Sequence, residues 1–103
     1  MSATVVKIAR NYQVTLPREI REIIIPFSIE KRIRKLPQDI RKKFYWGMDV
    51  LMKNERHPSL RHKKIQGTET YWELSITMNY RVIYRRESEK AFLVAIGKHK
   101  DVF

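Results

Sequence analysis

The chain contains no cysteine. That excludes disulfides, thiolate nucleophiles and Cys-ligated zinc sites, and it is compatible with a reducing compartment. Only three glycines and four prolines occur among the 103 residues. None of the glycines belongs to a phosphate-cradling loop. No apolar run approaches the ~20 residues needed to span a bilayer. The N-terminus has neither a basic stretch leading into an apolar one nor a cleavage site, so a cytoplasmic location and no membrane partner are expected. The three histidines lie far apart and lack cysteine neighbours. That spacing is a weak metal signal, and neither a metal nor a cofactor is expected. There is no Ser-centred nucleophile motif, no repeat and no low-complexity segment.

Acidic residues are the other scarcity. Eleven Asp and Glu stand against 22 Lys and Arg, for a formal net charge of +11. Such a surface suits nucleic acid, an acidic protein or an anionic membrane, or it serves solubility alone. The length is enough for one domain with a small core and too short for two.

Residues 1–22 read as an extension separate from a main domain over 23–103. Thr4-Val5-Val6-Lys7-Ile8-Ala9-Arg10 is β-branched and strand-like. Asn11-Tyr12 suits a turn, Gln13-Val14-Thr15-Leu16 a second short strand, and Pro17 the first turn of a helix. In the main domain, the run Ile23-Ile24-Ile25 predicts a first strand over 23–27. Ser28 is expected to cap a helix over 29–36, with Glu30 favoured in its first turn. Pro37 breaks that helix and starts the next. Ile40, Phe44, Met48 and Leu51 mark one apolar face of a helix from 38 to 53, with Arg41, Lys42 and Lys43 off that face. Gly47 costs about 1 kcal/mol relative to Ala there. It either admits close approach to the sheet or is simply tolerated.

The remainder is strand-rich, at 62–66, 71–77, 80–86 and 91–97. Strict alternation in Trp72-Glu73-Leu74-Ser75-Ile76 predicts a half-buried strand. Trp72, Leu74 and Ile76 should face the helices, and Glu73 and Ser75 should face outward. Met78-Asn79 suits a tight hairpin. Residues 91–96 are nearly all apolar, so that strand is expected to be central and covered on both faces. The expected fold is α+β, with two N-terminal helices packed on a small, twisted, mainly antiparallel sheet.

Three segments of the C-terminal half carry further meaning. The first is His57-Pro58-Ser59-Leu60-Arg61, followed by the basic His62-Lys63-Lys64-Ile65-Gln66-Gly67. The second joins Trp72-Glu73-Leu74-Ser75 to Tyr80-Arg81-Val82. The third is Ile96-Gly97-Lys98-His99, ending in Lys100-Asp101-Val102-Phe103. In this order and spacing they resemble the RelE/ParE superfamily of toxins from prokaryotic toxin–antitoxin pairs. The resemblance implies a RelE-like fold and a type II toxin: a ribosome-dependent mRNA endoribonuclease that inhibits translation. It implies mRNA on the ribosome, ribosomal RNA and a cognate acidic antitoxin as partners. Its alternative is a non-catalytic, ParE-like binder of a protein target such as gyrase. The segment from Val6 to Arg21 resembles the first half of an AbrB-type swapped-hairpin DNA-binding domain. That implies an autoregulator, with Arg10, Arg18 and Arg21 on DNA phosphates.

RNA can be cut by its own 2′-hydroxyl without a metal, given a base, an acid and cations around the phosphorane. The resemblance places the catalytic phosphate ligand at Arg81 and an acid/base at His99. Arg81 is otherwise a structural ion-pair partner of Glu73 across neighbouring strands. Glu73 is thus a base or a partner that orients Arg81. YafQ-like members carry a histidine where Lys63 stands, and RelE has lysines where Glu73 and Ser75 stand. Arg61, His62, Lys63 and Lys64 are candidate RNA contacts on the basic edge. Arg41, Lys42 and Lys43 are candidates for ribosomal RNA backbone, for an antitoxin groove, or for a solvated helix face. Phe103 either stacks on a base or anchors the C-terminus. His57, ahead of Pro58, is expected to organise a turn.

Overall fold

The computed structural model describes residues 19–102. The expected strands over 4–10 and 13–16, the helix start at Pro17, Arg10 and Arg18, and Phe103 lie outside the described residues. So does nearly all of the segment resembling an AbrB-type domain.

The chain runs β1 (Glu22–Ile24), α1 (Phe27–Arg34), α2 (Gln38–Lys53), a 3-10 turn (Pro58–Leu60), β2 (Lys63–Lys64), β3 (Tyr71–Ser75), β4 (Tyr80–Glu87), β5 (Lys90–Lys98) and α3 (His99–Val102). The strands form one sheet in the order β1-β5-β4-β3-β2. β1 pairs with β5 in parallel, and the other pairs are antiparallel.

α2 has the expected bounds. Pro37 precedes it, and Phe44, Gly47, Met48 and Leu51 are its buried residues. Burial of each large apolar side chain contributes about 1.5–3 kcal/mol. A Cβ on Gly47 would meet Ile76 Cδ1 at 3.5 Å and Leu60 Cδ2 at 4.0 Å. These are ordinary contacts, so the glycine is tolerated rather than demanded by space.

The first strand is shorter than expected, and Phe27 belongs to α1 instead. Pro26 has no N–H to give a ladder, and its extended backbone (ψ 155°) turns the chain into the helix. The helix cap also differs. Ser28 lies inside α1, and the Pro26 carbonyl accepts from Ile29 N (3.0 Å) and Glu30 N (2.9 Å). The core reaches further toward the N-terminus than the pattern suggested. Ile20 is only 1% exposed and packs with α1, α2 and the sheet. Arg21 N and Glu22 N both donate to the Glu89 carbonyl, at 2.8 and 3.3 Å.

β5 departs from its expected two-sided cover. The pairing steps from Ile83↔Ala95 to Tyr84↔Leu93, leaving Val94 as an extra residue. This bulge lets Leu93 and Ile96, three apart, both enter the core. Val94 itself is 41% exposed. β5 is central by hydrogen bonding, between β1 and β4, but among the described residues only its inner face is covered by the helices.

The β3–β4 connection spans 76–79. Thr77 Oγ1 accepts from Asn79 N and Tyr80 N, both at 3.2 Å. His57 organises its turn as expected, its Nδ1 accepting from Ser59 N at 3.2 Å.

Candidate active site on the outer face of the sheet

Alternation along β3 sends Leu74 into the core and Glu73 to the opposite face, as the sequence pattern requires. The outward residues are nevertheless not solvated. Glu73 is 4% exposed and Ser75 is 8% exposed. The cause is what the neighbouring elements place over them. Register sets Lys63 on β2 against Glu73, and Ser75 against Arg81 on β4. Arg81 then lies one diagonal step from Glu73.

Arg81 Nε donates to Glu73 Oε2 at 3.0 Å. Its Nη1 donates to the carbonyls of Thr77 (2.7 Å), Met78 (2.6 Å) and Tyr80 (3.3 Å). The guanidinium thus ties the β3–β4 turn to the carboxylate. Lys63 Nζ reaches Glu73 Oε1 at 3.6 Å, and His99 Nδ1 lies 4.0 Å from Oε2. His99 N donates to the Asn79 carbonyl at 2.8 Å, which fixes His99 beside the same turn. His99 is the first residue of the short helix α3, not part of a loop. One buried carboxylate therefore gathers a guanidinium, an ammonium and an imidazole. Glu73 and Arg81 are nearly enclosed, with side chains 5% and 14% exposed. Lys63 and His99 are open to solvent.

These four residues are the part of the expected set that the fold brings together. The rest lies elsewhere. Lys64 points to the other side of β2 and pairs with Glu69 at 3.6 Å. His62 also faces inward, its ring 4.6 Å from that of Trp72. Arg61 ends the 3-10 turn. Arg41, Lys42 and Lys43 lie in the first turns of α2, in the helix layer behind the sheet. Among the described residues, no group of three or more His, Cys, Asp or Glu side chains is placed to hold a metal ion. No helix among them is long and apolar enough to cross a membrane.

Solved structures share this arrangement of elements. YafQ from E. coli strain BL21(DE3) superposes with a TM-score of 0.66 at 15% identity, over 81% of this chain and 98% of that one. The toxin–antitoxin complex RelB–RelE from Methanococcus jannaschii matches with a TM-score of 0.64 at 17% identity, over 77% and 93%. The fold is that of the RelE and YafQ toxins. The E. coli DinJ–YafQ toxin–antitoxin complex adds a match at a TM-score of 0.62 and 17% identity, over 82% and 98%. No protein-family model matches the sequence, and no curated protein matches it.

The sequence pattern missed a second polar cluster, on the inner face. Tyr84 is fully buried, and its hydroxyl lies 2.6 Å from His62 Nε2. His62 Nδ1 lies 3.1 Å from the Glu55 carbonyl. A carbonyl only accepts, so Nδ1 carries the proton and Nε2 accepts from the tyrosine. Burial first, then the nearby Arg86 cation, lowers the His62 pKa, opposed by the Glu55 carbonyl and carboxylate. Burial likewise raises the Tyr84 pKa above its usual value. Arg86 Nη1 meets both carboxylate oxygens of Glu55, at 2.8 and 2.7 Å. The only local signal was a polar His62 at an inward position of the strand period. Its partners stand 22 and 7 residues away.

Proposed function

We propose that this chain is the toxin of a type II toxin–antitoxin pair and cleaves mRNA on the ribosome. The observation that carries the reading is the outer-face cluster of Glu73, Arg81, Lys63 and His99 on a RelE/YafQ-like fold. In the reaction the 2′ oxygen attacks the adjacent phosphorus and the 5′ oxygen leaves, giving a 2′,3′-cyclic phosphate. His99, exposed at the rim, transfers a proton at one of these oxygens. Lys63 and Arg81 supply positive charge where the phosphorane builds it. Glu73 holds both cations in place. The basic surface, with its net charge of +11, favours RNA and an acidic antitoxin alike. Two of the fold's relatives are complexes with antitoxins, RelB and DinJ.

The test incubates the purified chain with translating ribosomes and mRNA and maps cuts by primer extension. Defined cuts are expected. Replacing His99 with Ala should slow them about 10²- to 10⁴-fold in a protein that keeps its fold, since His99 is half exposed. Intact mRNA under conditions of full ribosome binding overturns the nuclease reading.

One observation favours a second reading, the ParE-like binder of a protein target such as gyrase. Arg81 is heavily committed to Glu73 and to the turn carbonyls. Intact mRNA together with inhibited supercoiling would select that alternative.

A further inference from the structure

Behind β2, on the side away from Glu73, an open cleft of about 560 Å³ is walled by Trp72, His62, His57 and Pro58. Its base holds the Arg86–Glu55 pair, and its rim carries Arg56 and Arg61. Three features narrow what it can hold. The first is that the His62 imidazole offers a ring rather than a donor. Both nitrogens of His62 are engaged, by Tyr84 and by the Glu55 carbonyl. His57 Nδ1 is engaged by Ser59. With Trp72 they form a wall that rewards a flat aromatic group.

The second feature is the rim. Arg56 and Arg61 are exposed, and neither guanidinium has an ion-pair partner among the described residues. Arg86, by contrast, is committed, its Nη1 to both Glu55 oxygens and its Nε to the Ser88 carbonyl. Two open forks beside an aromatic wall suit a phosphate.

The third is the backbone of Arg61, at φ 45°. A non-glycine side chain is disfavoured in this left-handed region. Glycine would serve the turn better, so Arg61 stands against the local backbone preference. Arg61 lines the cleft.

We propose that the cleft holds one nucleotide of a single-stranded RNA, its base against the Trp72–His62 wall and its phosphate between Arg56 and Arg61. The proposal rests on the reading of the chain as an RNA-binding toxin and adds a nucleotide subsite to it. His62 and Lys63 are adjacent and point to opposite faces of β2. A strand seated in the cleft therefore crosses this sheet edge to reach the Glu73 cluster.

Trp72 fluorescence tests this in a full-length Trp46→Phe background, where Trp72 is the remaining tryptophan. The probes are a six-adenosine oligoribonucleotide, adenosine 5′-monophosphate, inorganic phosphate and a hexaglutamate peptide. Saturable quenching by the oligonucleotide is expected, with weaker binding of the mononucleotide and no quenching by phosphate. Arg61→Gly should weaken oligonucleotide binding about tenfold, the loss of one charge-assisted contact, while the melting temperature holds or rises. Arg56→Gln, a change at an exposed side chain, should weaken binding in the same direction.

Unchanged affinity in both variants, or no quenching of Trp72, overturns the proposal. Tighter binding of hexaglutamate makes the cleft a peptide site and overturns it. Binding of the mononucleotide without the oligonucleotide does so too, by making the cleft a site for free nucleotide. Cleavage on ribosomes is a separate readout. Its absence with Trp72 quenching intact removes the nuclease reading and leaves the subsite standing. Cleavage without quenching does the reverse.

Discussion

The two faces of the sheet each bury a polar cluster, and the clusters differ in what surrounds their carboxylate–guanidinium pair. On the outer face a carboxylate is ringed by Arg81, Lys63 and His99. On the inner face a phenol donates to a neutral imidazole, beside the part-buried Arg86–Glu55 ion pair. The inner cluster satisfies groups that burial would otherwise leave unpaired. The outer one places ions where hydrophobic side chains of similar volume would serve stability as well or better. Local rules tend to be broken at functional sites, and here they are broken on the outer face. Its exposed members, Lys63 and His99, are the ones most open to a ligand.

The largest expected effect comes from breaking the outer cluster. Arg81→Ala removes the main partner of a buried carboxylate and releases the turn carbonyls, so it should cost about 3–5 kcal/mol, read by urea denaturation. Arg81→Lys keeps a charge near Glu73 but loses the fork. It should recover part of the stability while cleavage still falls about 10²- to 10³-fold. Equal stability of wild type and Arg81→Ala would show that the ion pair is idle.

Next is the apolar edge of the core ahead of β1. Ile20→Ala should cost about 2–5 kcal/mol, despite its place ahead of the first strand. A fragment starting at residue 23 should therefore melt well below one starting at residue 19. Equal melting temperatures would place the domain edge at 23.

The inner cluster should respond less. Tyr84→Phe leaves His62 Nε2 without its donor and should cost about 1–3 kcal/mol at neutral pH. The pH dependence has a definite sign. The folded state holds His62 below its usual pKa, chiefly through burial. The unfolded chain then binds the proton first, near pH 6.5, and stability rises with pH through that window. Wild-type stability is thus complete above about pH 6.5 and is lost as pH falls through the depressed folded value. His62→Gln should flatten this limb relative to wild type in denaturation midpoints taken across pH. An unchanged limb would mean that His62 is free to protonate in the fold.

The smallest effect lies away from both clusters. Gly47→Ala should raise stability by up to about 1 kcal/mol, because its Cβ meets only ordinary contacts. A marked loss would show that α2 packs more closely on Ile76 than 3.5 Å implies.

Much of the candidate site was legible before the fold. Arg81, Glu73, Lys63 and His99 were each singled out, and the Arg81–Glu73 pair follows from the strand period and one hairpin. Less legible was the separation of the basic residues. Arg61, His62, Lys63 and Lys64 are consecutive, yet only Lys63 joins the cluster, because alternation divides them between two faces. The burial of Glu73 was not legible either. A polar residue at an outward position reads as solvated unless the neighbouring strands are known to carry long cations.

Sequence by itself determined what depends on near neighbours. The apolar spacing from Ile40 to Leu51 and the flanking Pro37 set α2. Alternation set the faces of β3, and the short polar links set the hairpins. These rest on backbone sterics and on local burial, which a few consecutive residues encode. Only the tertiary structure decided the rest. It laid β1 parallel to β5, placed Val94 in a bulge and drew Ile20 into the core. It joined Arg86 to Glu55 across 31 residues. It turned Glu73 from a surface acid into the buried hub of a cationic ring. Strand order and register set which distant side chains share a face, and burial then decides which of them must find partners.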